Sequence, residues 1–178
     1  MNLHSDNVIL RPFRESDAGR MAELANNEKI GRNLRDGFPY PYSLEDAARH
    51  IKRFQQFKSY FAIEYKGEYA GNISLTPLDN VYRKTAEIGY FLGEPYWNKG
   101  IMTTAVNIIT KFGFNEMGLA RIHTGVYEYN AASQKVLEKC GYIKEGVFRK
   151  NVFKEGRLWD EVRFAKINPD LEMLQNDQ

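Results

Sequence analysis

Apolar residues recur along this chain at two spacings, and the changes between them mark its elements. After Gly100 they fall at Ile101, Ala105, Ile108, Ile109 and Phe112, which lines one helical face and predicts a helix over 101–116, ended by Asn115-Glu116-Met117-Gly118. Met21, Leu24 and Ala25 mark a shorter helix that Ser16 or Asp17 can cap. Ser43-Leu44-Glu45-Asp46 has the form of a capping box, with an acid three residues after the serine; the helix it opens buries Ala47, Ile51 and Phe54. A further helix spans 131–139, with Asn130 as its cap and Gly141 as its stop.

Between these helices the pattern is that of strands. Val8–Arg11 reads as the first, and Tyr60–Tyr65, Tyr69–Thr76 and Thr85–Leu92 as consecutive antiparallel ones, the first two joined tightly by Lys66-Gly67-Glu68. Arg121–Val126 alternates in part. Tyr142–Phe148 and Arg157–Ile167 close the chain around a turn at Glu155-Gly156. Asn33 to Tyr42, rich in Gly, Pro and aromatics, is a loop. The order predicts an α/β (α+β) fold, a mixed sheet with helices on both faces. Neither an internal repeat nor a linker interrupts it, so residues 1–178 are expected to form a single domain.

Composition narrows the function classes. Of 178 residues 43% are hydrophobic, enough for a sizeable core, and the net charge is only +2. Basic and acidic residues are interspersed without a block of five like charges, which argues against a nucleic-acid groove. No stretch approaches the ~18 apolar residues of a membrane span. The one cysteine, Cys140, excludes an internal disulfide framework and a cysteine-rich zinc cluster; with three histidines, no metal site is expected. The start, Met1 to Asn7, has neither basic residues nor a following apolar run, so no signal peptide is expected and the cytoplasm is the default. The polar tail Asp170–Gln178 is expected to fray.

The segment from Gly93 to Thr104 is a turn running into a helix. The first N–H groups of a helix lack intrahelical partners, and with the helix dipole they suit phosphate; an ordinary strand–turn–helix joint has the same pattern. Four blocks in order carry a resemblance: Ile9-Leu10-Arg11-Pro12-Phe13, Glu87-Ile88-Gly89-Tyr90-Phe91-Leu92, the Gly100 turn, and Asn130 through Tyr142. Together they resemble the GCN5-related N-acetyltransferases (GNAT), and more closely the ribosomal-protein N-terminal acetyltransferase (RimJ/RimL-type) branch, over a core of about 8–167.

The resemblance implies a GNAT fold, with a central, mostly antiparallel twisted sheet, and acetyl-CoA-dependent transfer of an acetyl group to a primary amine. The acceptor would be a protein N-terminus or a small molecule, attacking directly in a ternary complex, and the protein a monomer or homodimer. It assigns the coenzyme A pyrophosphate to the backbone of Asn98, Lys99, Gly100, Ile101, Met102, Thr103 and Thr104, with Trp97 beside it, although surface packing on Pro95 explains Trp97 equally. Met102 departs from the small residue usual there and would crowd the loop. Phe91 and Leu92 would end a splayed strand that serves the pantetheine arm, with Asn130 bonding the same arm.

Glu87 is the first choice for general base: a carboxylate between apolar neighbours tends towards a raised pKa, although alternation also allows a solvent-facing position. Ser133 is the candidate donor to the departing thiolate, since the tyrosine that other branches use is replaced by Leu137; it equally suits a helix first turn. The acceptor is expected against Asn33, Arg35, Phe38, Tyr40, Tyr90 and His123, although His123 also reads as an ordinary strand histidine. The alternative from a different class is a non-catalytic acyl-CoA-binding or regulatory domain.

Overall fold

The computed structural model describes residues 2–171. The expected fraying of the tail concerns, for residues 172–178, positions outside that range. The described residues form two compact units, one built from the residues up to Ser74 together with Tyr90–Ile108, the other from Leu75–Gly89 and the residues from Ile109 on. The class is the expected α+β one, a mixed, largely antiparallel twisted sheet with helices on both faces.

In the first unit, β1 (Leu3–Ser5), β2 (Val8–Arg11), β3 (Tyr60–Tyr65) and β4 (Glu68–Pro77) lie side by side in that order, each neighbouring pair antiparallel. Three residues of mixed polarity carry no legible period, so β1 is a strand that pattern reading does not anticipate. The same unit holds α1 (Ala18–Ala25), the single turn α2 (Glu28–Gly31) and α3 (Leu44–Phe54), with the Phe54 ring of α3 5.6 Å from that of Tyr60 on β3. Leu10, Met21, Ile51, Ile63, Ile73 and Ile101 are its largest fully buried side chains.

The two expected caps behave differently. Ser43 accepts from the Asp46 N–H at 3.1 Å while Asp46 accepts from the Ser43 N–H at 2.9 Å, completing the capping box of α3. Asp17 stands at the N-cap of α1 but makes no side-chain cap bond, and Ser16 is not the cap. The Asp17 carboxylate is instead claimed by Arg11 and by the Arg14 N–H. The α3 face is also not the one expected throughout. Ala47 and Ile51 are buried, but so is His50, and Phe54 is only half-buried.

In the second unit the strand order is β5 (Thr85–Leu92), β6 (Arg121–Tyr127), β8 (Arg157–Ile167), β7 (Ile143–Lys154). β6 runs parallel to β5 and antiparallel to β8, which is antiparallel to β7. β7 runs six residues past the expected Phe148 end because a register shift between Phe148 and Val152 absorbs the polar stretch, with Lys150 at φ 55° and its N–H donating to Asp160. Tyr142 is not in the strand. Buried in the core, its hydroxyl lies 2.8 Å from that of Thr110.

The helices α4 (Ile101–Asn115) and α5 (Ala131–Lys139) match the expected ones within a residue. α4 is buried on more than one stripe: Met102, Val106 and Thr110 are buried with Ile101, Ala105, Ile109 and Phe112, whereas Ile108 is half-buried. Asn130 caps α5, its side chain accepting from the Ser133 N–H at 3.2 Å.

Candidate functional site

The candidate residues fall into two groups, one in each unit. In the first unit, β5 ends at Leu92 and a short 3-10 turn, Glu94–Tyr96, leads towards α4. The turn is anchored on both sides. Tyr96 donates to Glu68 (2.9 Å) and accepts from Arg20 (3.1 Å), while Glu94 accepts from Asn27 (2.6 Å) and from Lys29. These bonds hold the Glu94 carboxyl below its usual range, Lys29 first. A Cβ on Gly93 would fall 2.7 Å from Leu24, so the chain passes here against α1 with no room for a side chain. Trp97 donates from Nε1 to the Leu92 carbonyl at 2.7 Å, tying the indole back to the strand end.

The three residues after Trp97 are exposed. Asn98 and Gly100 both have positive φ, 59° and 74°, and Lys99 donates to the Pro95 carbonyl at 2.7 Å. The Thr104 N–H closes the first turn of α4 on the Gly100 carbonyl at 3.0 Å. A Cβ on Gly100 would meet nothing within 4 Å. Glycine is therefore required here by the backbone conformation and faces open space. An exposed loop of two left-handed residues leading into a helix start has the chemistry that suits an anion, its donors being backbone N–H groups. Met102, the residue expected to crowd this loop, is 7% exposed and counts among the buried hydrophobic residues.

The aromatic loop meets the same strand end. Phe38 lies against Phe91 with ring centroids 5.3 Å apart and stacks on Tyr42 (4.4 Å) and on His50 (5.2 Å). Beneath it the Tyr42 hydroxyl and His50 Nδ1 are 2.6 Å apart, both side chains buried. Burial lowers the His50 pKa, with Arg49 adding to the effect. Phe38 and Phe91 are thus brought together, whereas Tyr40 is 53% exposed and Arg35 is also on the surface. Asn33 donates to the Lys29 carbonyl at 2.9 Å, and its Oδ1 is buried without a hydrogen-bond partner. Tyr90 is half-buried. The Tyr42–His50 pair is not legible in sequence, because neither residue interrupts the helical or loop pattern around it.

In the second unit the parallel ladder of β5 and β6 pairs Thr85 with Arg121, Ala86 with Ile122 and Glu87 with His123, and ends there, while β6 continues to pair with β8 as far as Tyr127. Ala86 and Ile88 are buried on one face of β5, and Glu87 is half-exposed on the other. Its register partner His123 is half-buried, and Arg163 NH2 lies 2.9 Å from His123 Nδ1. The His123 pKa is lowered, first by burial and then by Arg163, with Glu87 opposing. Neither Arg163 nor Glu161 behind it is singled out by sequence reading, since their contacts form only across strands. Ser133 and Asn130 are half-buried, Ser133 in the first turn of α5 that Asn130 caps. Leu137 is fully buried, the core position its spacing implies. Cys140 is buried too, and burial pushes its thiol up to about 11, so it is no nucleophile near neutrality.

This order of elements, with β5 ending in a turn that starts a helix, defines an acetyltransferase fold. A family model described as "Acetyltransferase (GNAT) domain" matches residues 7–143. The "Probable N-acetyltransferase YjcK" of Bacillus subtilis (strain 168) is 44% identical over 185 residues, spanning 94% of this chain and 98% of that protein. The chain belongs to the GNAT acetyltransferase family, whose general activity is acetyl-CoA-dependent acetyl transfer. Two solved structures show its fold with ligands. The microcin C7 self-immunity acetyltransferase MccE, in complex with acetyl-CoA and AMP, has a TM-score of 0.80 at 26% identity, covering 92% of this chain and 94% of its own. Mycobacterium smegmatis RimJ, in complex with CoA-disulfide, has a TM-score of 0.83 at 22% identity, covering 96% and 88%. Among the described residues no helix is long and apolar enough to cross a membrane.

Proposed function

We propose that this chain is an N-acetyltransferase of the RimJ/RimL-type branch that moves the acetyl group of acetyl-CoA directly to a primary amine, a protein N-terminus or a small molecule, as one domain over residues 1–178. The observation that carries the reading is Glu87: a carboxylate at the last pair of a parallel ladder, on the strand whose end leads into the phosphate-suited turn. Direct transfer needs a neutral amine, held orientation and donors for the developing negative charge. Glu87 removes the amine proton. The Gly100 loop and the first turn of α4, through Thr104, hold the pyrophosphate, with Trp97 fixing the turn to Leu92. Ser133 donates to the departing sulfur while Asn130 holds its backbone. The complex of MccE with acetyl-CoA supports the cofactor assignment.

The test is a screen of purified protein with acetyl-CoA against amino acids, polyamines, aminoglycosides and short peptides, following free CoA release and acetylated product by mass. Product with at least one amine is expected. Stoichiometric CoA binding without product from any of them would leave the binding-domain alternative in its place.

A further inference from the structure

A chain of polar side chains crosses the strands of the second unit. Asn151 donates to Glu161 Oε2 at 2.9 Å, Arg163 NH1 donates to the same oxygen at 3.1 Å, and Arg163 NH2 lies 2.9 Å from His123 Nδ1. Glu161 is 8% exposed. Room for the pair is made by Gly125 on β6, where a Cβ would fall 2.1 Å from Glu161 Oε1 and 2.8 Å from Arg163 NH1. Phe148 on β7 holds its ring 5.3 Å from the guanidinium carbon. Arg163 is thus fixed from three directions, by a carboxylate, an imidazole and an aromatic ring.

Its chemistry decides the state of the histidine. A guanidinium only donates and is not deprotonated in proteins. His123 Nδ1 must therefore accept, which places the imidazole proton on Nε2. Protonating Nδ1 would set N–H against N–H, which disfavours the imidazolium beside Arg163. Nearby, Glu161 is bonded to Arg163, and Glu145 on β7 to Arg121 on β6. Glu87, on β5, is the register partner of His123, one strand spacing of about 4.8 Å away.

We propose that Asn151, Glu161 and Arg163 are positioning residues that lock His123 as an Nε2–H donor, and that this donor selects acceptors carrying an oxygen close to the amine, such as an amino alcohol or an amine beside a carbonyl, over polyamines. The selection rests on the function proposed above: Glu87 takes the amine and His123 the neighbouring oxygen. A polyamine has no oxygen to accept from the His123 N–H.

The lock can be read without turnover, by imidazole 15N NMR of the wild-type protein labelled at histidine. The expected signal for His123 is the neutral Nε2–H tautomer, with any titration displaced below the ordinary 6.5. An Nδ1–H tautomer, or titration near the ordinary 6.5, overturns the proposal. In Arg163→Met, His123 should titrate closer to 6.5 than in the wild type, and KM for an oxygen-bearing amine should rise about tenfold at unchanged KM for acetyl-CoA. Arg163→Lys, which still donates, should recover part of the loss. Equal KM changes for polyamines and oxygen-bearing amines overturn the selection. If no amine is acetylated at all, the proposed function fails instead, and the NMR result identifies which of the two has failed.

Discussion

Arg11 grips both oxygens of Asp17, NH1 to Oδ2 at 2.8 Å and NH2 to Oδ1 at 2.7 Å, with side chains only 4% and 5% exposed. The Nε of the same guanidinium reaches Glu64 on β3 at 2.5 Å, so one arginine ties β2, β3 and the entry to α1. Asp17 first, then Glu64, hold the Arg11 pKa above its usual value against the opposing effect of burial. Removing one partner of a buried pair strands the other charge, which costs more than the pair itself contributes. Asp17→Ala is therefore expected to lose about 3–5 kcal/mol of unfolding free energy. Urea denaturation measures it, and a loss below ~1 kcal/mol would mean that Glu64 alone satisfies the guanidinium.

Gly100 separates backbone strain from ligand contact. No protein atom would meet its Cβ, so Gly100→Val should fold, at a cost of ~1–2 kcal/mol for a left-handed residue. The added side chain would occupy the open space in front of the loop, and acetyl-CoA affinity should fall by ~1–3 kcal/mol. Calorimetry on the folded variant decides this; an unchanged Kd removes the pyrophosphate from this loop.

Glu87→Gln keeps the side-chain shape and removes the carboxylate proposed as the proton acceptor. Glu87→Gln should keep acetyl-CoA affinity and lose roughly 100-fold or more in turnover. The pH–rate profile is the telling measurement. If the variant retains the wild-type rate and acidic limb, the base is another group.

The capping box of α3 predicts a pH dependence of stability. Bonds from the Ser43 hydroxyl and N–H, and from Arg49, lower the Asp46 pKa to about 2 from 3.8. A folded-state pKa below the unfolded one gives stability that is complete above the unfolded value and is lost as pH falls through the folded one. Asp46→Ala should lower Tm at pH 7, and the difference from wild type should shrink between about pH 4 and pH 2. A difference that stays constant down to pH 2 would show that ionisation of Asp46 plays no part.

What the sequence determined by itself is what its near neighbours decide. The capping box at Ser43, the Asn130 cap, the Gly141 stop at φ 77° and the bounds of α4 and α5 are interactions within a few residues, and each stands where the pattern put it. The motif order identified the family for the same reason, since a turn and the helix it feeds are contiguous.

Tertiary structure decided the rest. Periodicity marks a stripe on α4, but the buried Thr110 finds its hydroxyl partner 32 residues on, in Tyr142. Asp17 had the residue type for a cap, but the buried Arg11 offered a stronger, charged partner. Arg163 and His123 are 40 residues apart and meet because antiparallel register sets them on adjacent strands. Local spacing fixes which face of an element is apolar. Which polar groups meet on the remaining faces depends on strand order and register, and these are settled only when the whole sheet closes.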